Sequence, residues 1–198
     1  MIRPRFFAFA LILLVAAIAP AAEADFTIEL GKRVGAIKKN SSLEQLQKAY
    51  GAKNVKATEL PGPEGSTIPG AVLFKGGDRE MHVIWNDERI GQEVFDVKLI
   101  GKAWVIADKL KLGATIADVE TANGGAFKIG GFAWDLGGYA TFEGGKLENK
   151  VMVRFDPSPE SIEKSLDTSL VGEKQIPTGN KKLRAVKPTV SELFVILR

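Results

Sequence analysis

The chain has 198 residues, a formal net charge of +3 and no cysteine. Without cysteine it has neither a disulfide framework nor a thiolate site, and its single histidine, His82, makes a zinc or copper centre unexpected. A charge so close to neutral does not favour nucleic acid as a partner. The glycines do not follow phosphate-loop or dinucleotide spacing, so we expect neither a metal nor a cofactor.

The first 24 residues have the features of an export signal. Arg3 and Arg5 precede an uncharged apolar run from Phe6 to Ala19, and small residues follow at the positions suited to cleavage before Asp25. The run is shorter than the roughly 20 residues that span a bilayer, which favours cleavage over an uncleaved membrane anchor. We therefore predict a mature chain that does not span the membrane. Secreted eukaryotic proteins of this size often carry disulfides, so a Gram-negative periplasm is the expected compartment.

Residues 25–107 are predicted to form a first α+β unit. Ser41 or Ser42 can cap a helix that Gly51 ends. Alternating apolar and polar residues, separated by turn-forming residues, predict the strands. These strands cover residues 26–30, 54–60, 71–74, 80–85, 94–100 and 104–107, with Phe95, Val97 and Leu99 on one face.

Residues 108–198 are predicted to form a second α+β unit, in which Thr115 caps a helix that Gly124 ends. The later elements are glycine-punctuated strands over 131–145, a strand over 151–156 and a short helix over 160–166. The last strand, 189–197, is too apolar to lie in water, and we expect it to close an edge of the sheet. The basic run Lys181–Arg184 is interpreted as a solvated loop, with contact to anionic lipid or glycan as the alternative.

The two segments repeat the same order of parts. Ser42, Leu43, Leu46, Ala49 and Gly51 align without a gap with Thr115, Ile116, Val119, Ala122 and Gly124. Further matches join Phe74–Gly77 to Phe142–Gly145, and Met81, Val83 and Trp85 to Val151, Val153 and Phe155. One such unit buries little core alone. We therefore predict an α+β fold of two fused helix-plus-antiparallel-meander units that share one sheet, with the helices on one face. Chance similarity of the two segments is the alternative.

The glycine pair Gly137–Gly138 predicts a two-residue hairpin, because type I′ and II′ turns need positive φ. The predicted pairs are Leu136 with Tyr139, Trp134 with Thr141 and, across Gly144–Gly145, Phe142 with Leu147. Side chains alternate between faces along a strand, so one face collects apolar residues that should lie under the helices. These are Ala133, Ala140, Phe142, Leu147, Val151, Val153 and Phe155.

The opposite face collects rings, charges and a methionine, a mixture typical of interfaces. Its members are Phe132, Trp134, Leu136, Tyr139, Thr141, Glu148, Met152 and Arg154. The internal match extends this face into the first unit through His82 and Ile84. We predict a binding surface for a protein or peptide made by Phe132, Trp134, Tyr139, Met152, Arg154 and His82. The alternative, the commoner fate of aromatic residues, is that Phe132 and Trp134 pack beneath a loop or the C-terminal strand.

This order of parts, over Val34 to Asp156, resembles the small unit shared by the secreted β-lactamase inhibitor proteins and the small outer-membrane assembly lipoproteins. The resemblance to the inhibitors implies a tandem duplication with an aromatic, concave sheet face that binds another protein. The disulfides of the inhibitors and the lipidated cysteine of the lipoproteins are both absent here. The resemblance therefore implies a fold and a style of binding surface, without a target. Gly131–Asp135 and Phe142–Leu147 are also similar to uncharacterised bacterial secreted proteins.

Catalytic arrangements have weaker support in the sequence. Paired carboxylates among Asp87, Asp135, Glu143 and Asp156 would suit a hydrolase acting on cell wall or glycan, which is the alternative function. The predicted register puts two of them, Asp135 and Glu143, on opposite faces. His82 has no nucleophile nearby in sequence and is interpreted as structural. We thus expect a periplasmic, non-catalytic binding protein, with carriage of a small ligand as a third possibility.

Overall fold

A computed structural model describes residues 25–197, in which short helices accompany antiparallel strands. The helices are α1 (Leu43–Tyr50), α2 (Ile116–Asn123), α3 (Pro159–Glu163) and α4 (Lys181–Ala185), with 3₁₀ turns at Ala52–Asn54, Pro63–Gly65 and Thr168–Leu170. The strands are β1 (Ile28–Glu29), β2 (Arg33–Val34), β3 (Ile37–Lys38), β4 (Val55–Pro61), β5 (Thr67–Leu73), β6 (Met81–Trp85), β7 (Val94–Leu99), β8 (Lys128–Gly130), β9 (Ala140–Thr141), β10 (Val151–Asp156), β11 (Gln175–Pro177) and β12 (Thr189–Ile196). The predicted α+β class is confirmed.

The largest sheet has six antiparallel strands in the order β10-β12-β7-β6-β5-β4, so strands from both predicted units pair within it. β12 lies between β10 and β7, and the prediction that the last strand closes an edge is wrong. Phe194 and Val195 of β12 point to opposite faces and are both buried. A strand buried on both faces reads as a continuous apolar run, which is the pattern of a central strand.

A second sheet, in the order β11-β8-β9, joins the first sheet through one bridge. Tyr139, which precedes β9, pairs with Arg154 of β10, and the Phe155 N–H donates to the Gly138 carbonyl over 2.9 Å. Strands β8, β9, β10 and β12 therefore follow one another beside the meander β4 to β7. A third small sheet holds β1, β2 and β3.

Both eight-residue helices begin with a capping box, as the sequence predicts. At α1, Ser42 Oγ accepts from the Gln45 N–H while the Gln45 side chain accepts from the Ser42 N–H. Thr115 and Asp118 make the same exchange at α2. Each box satisfies two backbone donors at the start of its helix, and a glycine with positive φ follows the end of each helix.

The hydrophobic core lies between the six-stranded sheet and these helices. One buried row crosses five strands on the core side of the sheet: Ala71, Val83, Val97, Val195 and Val151. Leu46 of α1 and Val119 of α2 belong to the same buried cluster. Both helices therefore pack on one side of the sheet. The other side, which faces away from them, is called the outer face below.

A β-bulge changes the faces predicted for β7. The register between β6 and β7 shifts between Ile84 and Trp85. An extra residue in one strand reverses the alternation of side chains beyond it. Val97 and Leu99 are buried in the core, but Phe95 is 37% exposed, so its predicted place on their face is wrong.

The second unit departs from its predicted register at Gly137–Gly138. Tyr139 lies opposite Gly130 rather than Leu136, because the Gly130 N–H donates to the Tyr139 carbonyl over 2.8 Å. A loop over residues 131–138 thus replaces the two-residue hairpin. Leu136 is 61% exposed in this loop. The faces predicted for residues 131–138, which are assigned by alternation from the glycine pair, therefore do not apply.

The apolar face of the second unit is largely as predicted beyond this loop. Its buried members are Phe142, Leu147, Val151, Val153 and Phe155. Ala133 is exposed, contrary to the prediction, and has a positive φ of 61°. Gly144–Gly145 forms a turn, but β9 ends at Thr141, so the predicted strand pair across that turn does not form.

Two shorter segments also differ from their predictions. Residues 104–107, expected as a strand, contribute a single bridge between Ile106 and Leu110. The basic run Lys181–Arg184, interpreted as a loop, lies in helix α4 and buries Leu183. Asn180 caps this helix through its side chain, which explains why a short polar segment is helical here.

The predicted signal, residues 1–24, lies outside the described residues, and periplasmic localisation stays a prediction. Over residues 25–197, no helix combines the length and the apolar character needed to cross a bilayer. The helices α1 and α2 contain eight residues each.

Candidate functional site

The outer face carries a row of side chains that crosses all six strands of the large sheet. Paired residues of antiparallel strands point to the same side, so the register connects neighbours from one edge to the other. The row is Lys56, Val72, His82, Lys98, Phe194 and Met152. Lys98 Nζ lies 5.0 Å from the centroid of the Phe194 ring, within the range of a cation–π contact.

Most outer-face side chains are partly exposed. Those of His82, Lys98 and Arg154 are 20%, 29% and 32% exposed, whereas Val83 and Val97 on the core side are 0% exposed. An adjoining row on the outer face adds Ile84, Asp96 and Ile196. The side chains of the outer face are therefore partly accessible to solvent, and they include both apolar and charged groups.

A cluster of charges on the outer face centres on Glu192. Lys98 Nζ lies 3.2 Å from one carboxylate oxygen of Glu192, and Arg154 Nη1 lies 3.8 Å from the other. The Tyr139 hydroxyl donates to Glu192 Oε2 over 3.4 Å. Because β12 is a central strand, the carboxylate receives one cation from β7 and one from β10. Asp156 Oδ1 lies 3.9 Å from Arg154 Nε, so the two cations of the cluster are balanced by two carboxylates.

Arg154 is held in place by further contacts. Its Nε donates to the Gly137 carbonyl over 3.0 Å, and its guanidinium lies 5.5 Å from the centroid of the Tyr139 ring. Burial raises the pKa of the Tyr139 hydroxyl, and the nearby Glu192 carboxylate raises this pKa further. The phenol is therefore neutral at pH 7 and is a donor to Glu192.

His82 pairs with a carboxylate two residues away in sequence. Its Nε2 lies 2.9 Å from Glu80 Oε1, and the Gly76 N–H donates to Glu80 Oε2 over 2.7 Å. Burial alone would raise the pKa of Glu80, but the hydrogen bonds from Gly76 and His82 outweigh it and lower this pKa. The turn before β6 thus holds the Glu80 carboxylate, and this carboxylate orients the His82 ring.

Four of the six residues predicted to bind a partner lie on one surface, with β7 and β12 between His82 and the other three. His82, Met152 and Arg154 are on the outer face, and Tyr139 joins them through its contacts with Arg154. Their grouping follows from alternation along β6 and β10, which the sequence pattern shows. The bridge between Tyr139 and Arg154 then connects the second sheet to this surface.

The other two predicted residues lie in or beside the loop over residues 131–138. Phe132 is 3% exposed and belongs to the core, so its predicted place on the outer face is wrong. Its N–H donates to the Leu170 carbonyl over 2.7 Å, which holds that backbone inside the fold. Trp134 is half-buried, and its indole N–H donates to the Gly131 carbonyl over 2.7 Å. Trp134 lies outside the paired strands, so no register assigns it to a face.

The prediction misses the outer-face residues on β4, β5, β7 and β12, which are Lys56, Val72, Asp96, Lys98, Glu192, Phe194 and Ile196. The alternation of β7 already placed Lys98 opposite the core-facing Val97 and Leu99, so its position was available. Phe194 and Glu192 depend on β12 being central, and an unbroken apolar run carries no signal of which residues face which side. Long-range pairing alone reveals them.

At one edge of the outer face, lysines surround an apolar depression of about 340 Å³. Its lining residues, here called the basic corner, are Lys53, Asn54, Lys56, Val72, Phe74 and Lys75. A smaller depression of about 250 Å³ adjoins Arg154 and Ile162. Lys53 and Lys56 are three residues apart in the sequence, but Lys75 joins them only through the pairing of β4 with β5, and the sequence analysis does not group the three.

The carboxylates considered for hydrolysis lie in open surroundings. The side chains of Glu143 and Asp156 are 68% and 56% exposed, and each lies beside a cation. Asp87 and Asp135 are exposed in turns. A general acid that works near neutral pH needs surroundings that raise its pKa, as an apolar pocket does. Among residues 25–197, no group of three or more His, Asp and Glu side chains is placed to hold a metal ion.

Comparisons with family models, with curated proteins and with solved structures find no match to this chain. The resemblance to the β-lactamase inhibitor proteins and the assembly lipoproteins therefore stays a prediction from the order of helix, turn and strand. Function is inferred below from the chemistry of the outer face.

Proposed function

We propose that the chain is a periplasmic, non-catalytic binding protein whose outer face binds a protein or a peptide. The observation that carries this proposal is the row of side chains crossing six strands, together with the charge cluster around Glu192. Tyrosine, methionine and arginine are enriched in interfaces, and Tyr139, Met152 and Arg154 lie together here.

The contacts around Glu192 favour the interpretation of the outer face as a binding surface over its interpretation as an ordinary solvated surface. Binding restricts long side chains and thereby loses conformational entropy. Lys98 and Arg154 are already restricted by Glu192, and Arg154 also by Gly137. Binding of a partner over Lys98 and Arg154 therefore costs little further conformational entropy, because both side chains are already ordered in the free protein. Met152 and Ile84 supply apolar area beside the charges.

The alternative functions have less support. Hydrolysis by paired carboxylates needs an acid in apolar surroundings, and the four carboxylates considered are exposed. Carriage of a small ligand needs an enclosing apolar pocket. The depression at the basic corner is lined by three lysines, and the apolar residues between sheet and helices form one buried cluster.

The test is capture from a periplasmic extract of the source organism. The full-length chain, expressed for export and immobilised through a C-terminal tag, is compared with Met152→Glu and Ile84→Glu. Each substitution puts a carboxylate on an apolar part of the outer face. Ile90→Glu is the matched control, because Ile90 is 52% exposed in the turn between β6 and β7, whose Gly91 carbonyl accepts from the Leu43 N–H at the start of α1. Trp134→Ala is run beside them to learn whether the loop over 131–138 takes part.

We expect one or a few proteins to be retained by the unmodified chain and by Ile90→Glu, and to be lost from both outer-face variants. Circular dichroism must show that each variant keeps its fold. Retention that is unchanged by both outer-face substitutions would contradict the proposal. Truncation of a true interface anchor costs about 2 kcal/mol or more, which is some thirtyfold in affinity.

A further inference from the structure

We infer that the partner presents an extended acidic segment, which pairs with the free edge of β4 and places its carboxylates at the basic corner. This inference rests on the proposed function, because the basic corner is one end of the outer face. Lys56 and Val72 belong both to the basic corner and to the row that crosses the sheet.

The basic corner is built by backbone contacts rather than by loose surface side chains. The Phe74 N–H donates to the Asn54 carbonyl over 2.9 Å, which ties the end of β5 to the turn before β4. The Phe74 ring then packs edge-on against Tyr50, at 5.3 Å between centroids. Val72 and Phe74 thereby form the apolar part of the depression, and the three lysines of the basic corner line its remainder with Asn54.

The charges of the basic corner are weakly compensated within the chain. Lys53 and Lys56 are exposed and form no ion pair with another residue of the described range. Lys75 lies near Glu80, but that carboxylate already accepts from Gly76 and contacts His82. A partner carboxylate would therefore meet positive charge that the fold itself leaves open.

β4 is an edge strand, the last in the order of the six-stranded sheet. No other strand within residues 25–197 pairs with its outer side. At its start, the Val55 carbonyl accepts from Gln47 Nε2 over 3.5 Å, so helix α1 covers that end. The contact is made by Val55 alone, so the backbone of β4 from Lys56 of the basic corner onwards can pair with an added strand, as in β-augmentation.

The charge of this edge favours an acidic segment over a second copy of the chain. Two copies paired in parallel along β4 would bring two lysine groups together, and like charges across paired strands are destabilising. An antiparallel pair would set the two lysine groups at opposite ends of the paired strands. Lysines on edge strands often serve to prevent such pairing. Lysines that only prevented edge pairing would need no apolar surface beside them. Val72 and Phe74 supply such a surface, on which a side chain of the partner can pack.

The probes are three acetylated, fluorescently labelled decapeptides, measured by anisotropy with the full-length chain. The first alternates glutamate with valine and can form a strand. The second alternates glutamate with proline, which keeps the charge and removes half of the backbone donors. The third alternates lysine with valine. We expect the first peptide to bind most tightly, with binding that weakens as salt is raised.

The test variant replaces Lys53, Lys56 and Lys75 by glutamine. The matched control replaces Lys102, Lys109 and Lys181, three exposed lysines outside the basic corner, in the same way. We expect the test variant to bind the glutamate–valine peptide about tenfold more weakly or worse, and the control to bind within about twofold of the unmodified chain.

Equal binding of the glutamate–valine and glutamate–proline peptides would overturn strand pairing at β4. Equal binding by the two lysine variants would overturn the role of the basic corner. Self-association of the test variant without loss of peptide binding would show that the lysines only prevent edge pairing, and would also overturn it. In each case, capture that still depends on Met152 and Ile84 would leave the proposed function standing, so the two failures can be told apart.

Discussion

The two units of the chain agree in their local structure and differ in how their strands are connected. The turns at 74–77 and 142–145 are closed by the same backbone hydrogen bond, of 3.0 Å and 2.9 Å. In each, the first glycine donates its N–H to a glutamate four residues later, over 2.7 Å and 3.0 Å. The capping boxes at Ser42 and Thr115 also correspond. These repeated details support the predicted duplication, which stays a prediction.

The strands of the two units follow different paths. In the first unit, β4 to β7 pair in chain order. In the second, the loop over 131–138 shortens the pairing of β9 with β10 to one bridge, and residues 157–188 separate β10 from β12. Contacts within a few residues thus repeat, while connections between distant strands do not. Turns and caps depend on nearby atoms, whereas strand neighbours depend on the whole sheet.

The largest expected effect tests whether the two units share one core. Trp85→Ala and Phe155→Ala remove matched side chains that are 3% and 0% exposed. Each should lower the free energy of unfolding by about 3–5 kcal/mol, since both leave a cavity in the core. Because the sheet is continuous, circular dichroism during urea denaturation should show one transition in each variant.

Leu136→Ala is the control for these core variants, because Leu136 is 61% exposed. Its free energy of unfolding should stay within about 0.5 kcal/mol of the unmodified chain. Two separate transitions in either core variant, with one unit melting while the other persists, would show that the units fold independently.

An intermediate effect tests the equivalence of the two helix starts. Ser42→Ala and Thr115→Ala each remove the side-chain acceptor of a capping box. Each should lower the free energy of unfolding by about 1 kcal/mol, measured in urea. Ser42→Thr and Thr115→Ser keep the acceptor and should cost much less. If one substitution lowers the free energy of unfolding by about 1 kcal/mol and the other leaves it unchanged, the two helix starts are not equivalent.

The smallest effect concerns the glutamates of the two turns. Hydrogen bonds from Gly76 and His82 lower the pKa of Glu80 against the opposing effect of burial. A group with a lowered folded-state pKa adds stability above its unfolded pKa of about 4.3, and this contribution is lost as the pH falls through the folded-state pKa. Glu80→Gln should therefore lose less stability between pH 7 and pH 3 than the unmodified chain.

The difference for Glu80→Gln should be below about 1 kcal/mol, as for ion pairs that water reaches. Urea denaturation at both pH values measures it, and Glu148→Gln removes the same charge from the matched turn. A larger change at position 148 than at position 80 would contradict the role assigned to the contact between Glu80 and His82.

The outer-face residues of β6 and β10 could be foreseen because these two strands alternate cleanly. Alternation and the internal match predict one surface for His82 and Ile84 on β6 and for Met152 and Arg154 on β10. The register confirms that they share a side. The prediction for Phe132 is wrong for a specific reason: Gly137–Gly138 ends a loop and does not form a two-residue hairpin, and one wrong turn changes every face counted from it.

The sequence by itself determined the helix starts, the two glycine turns and the alternation of the regular strands. Each depends on hydrogen bonds or side-chain directions within a few residues, and a local pattern records them. The tertiary structure decided that β12 is central, that residues 131–138 form a loop, and that Glu192 lies between Lys98 and Arg154. Those features depend on which distant strands pair, and that choice is made by the burial of the whole core rather than by any one segment.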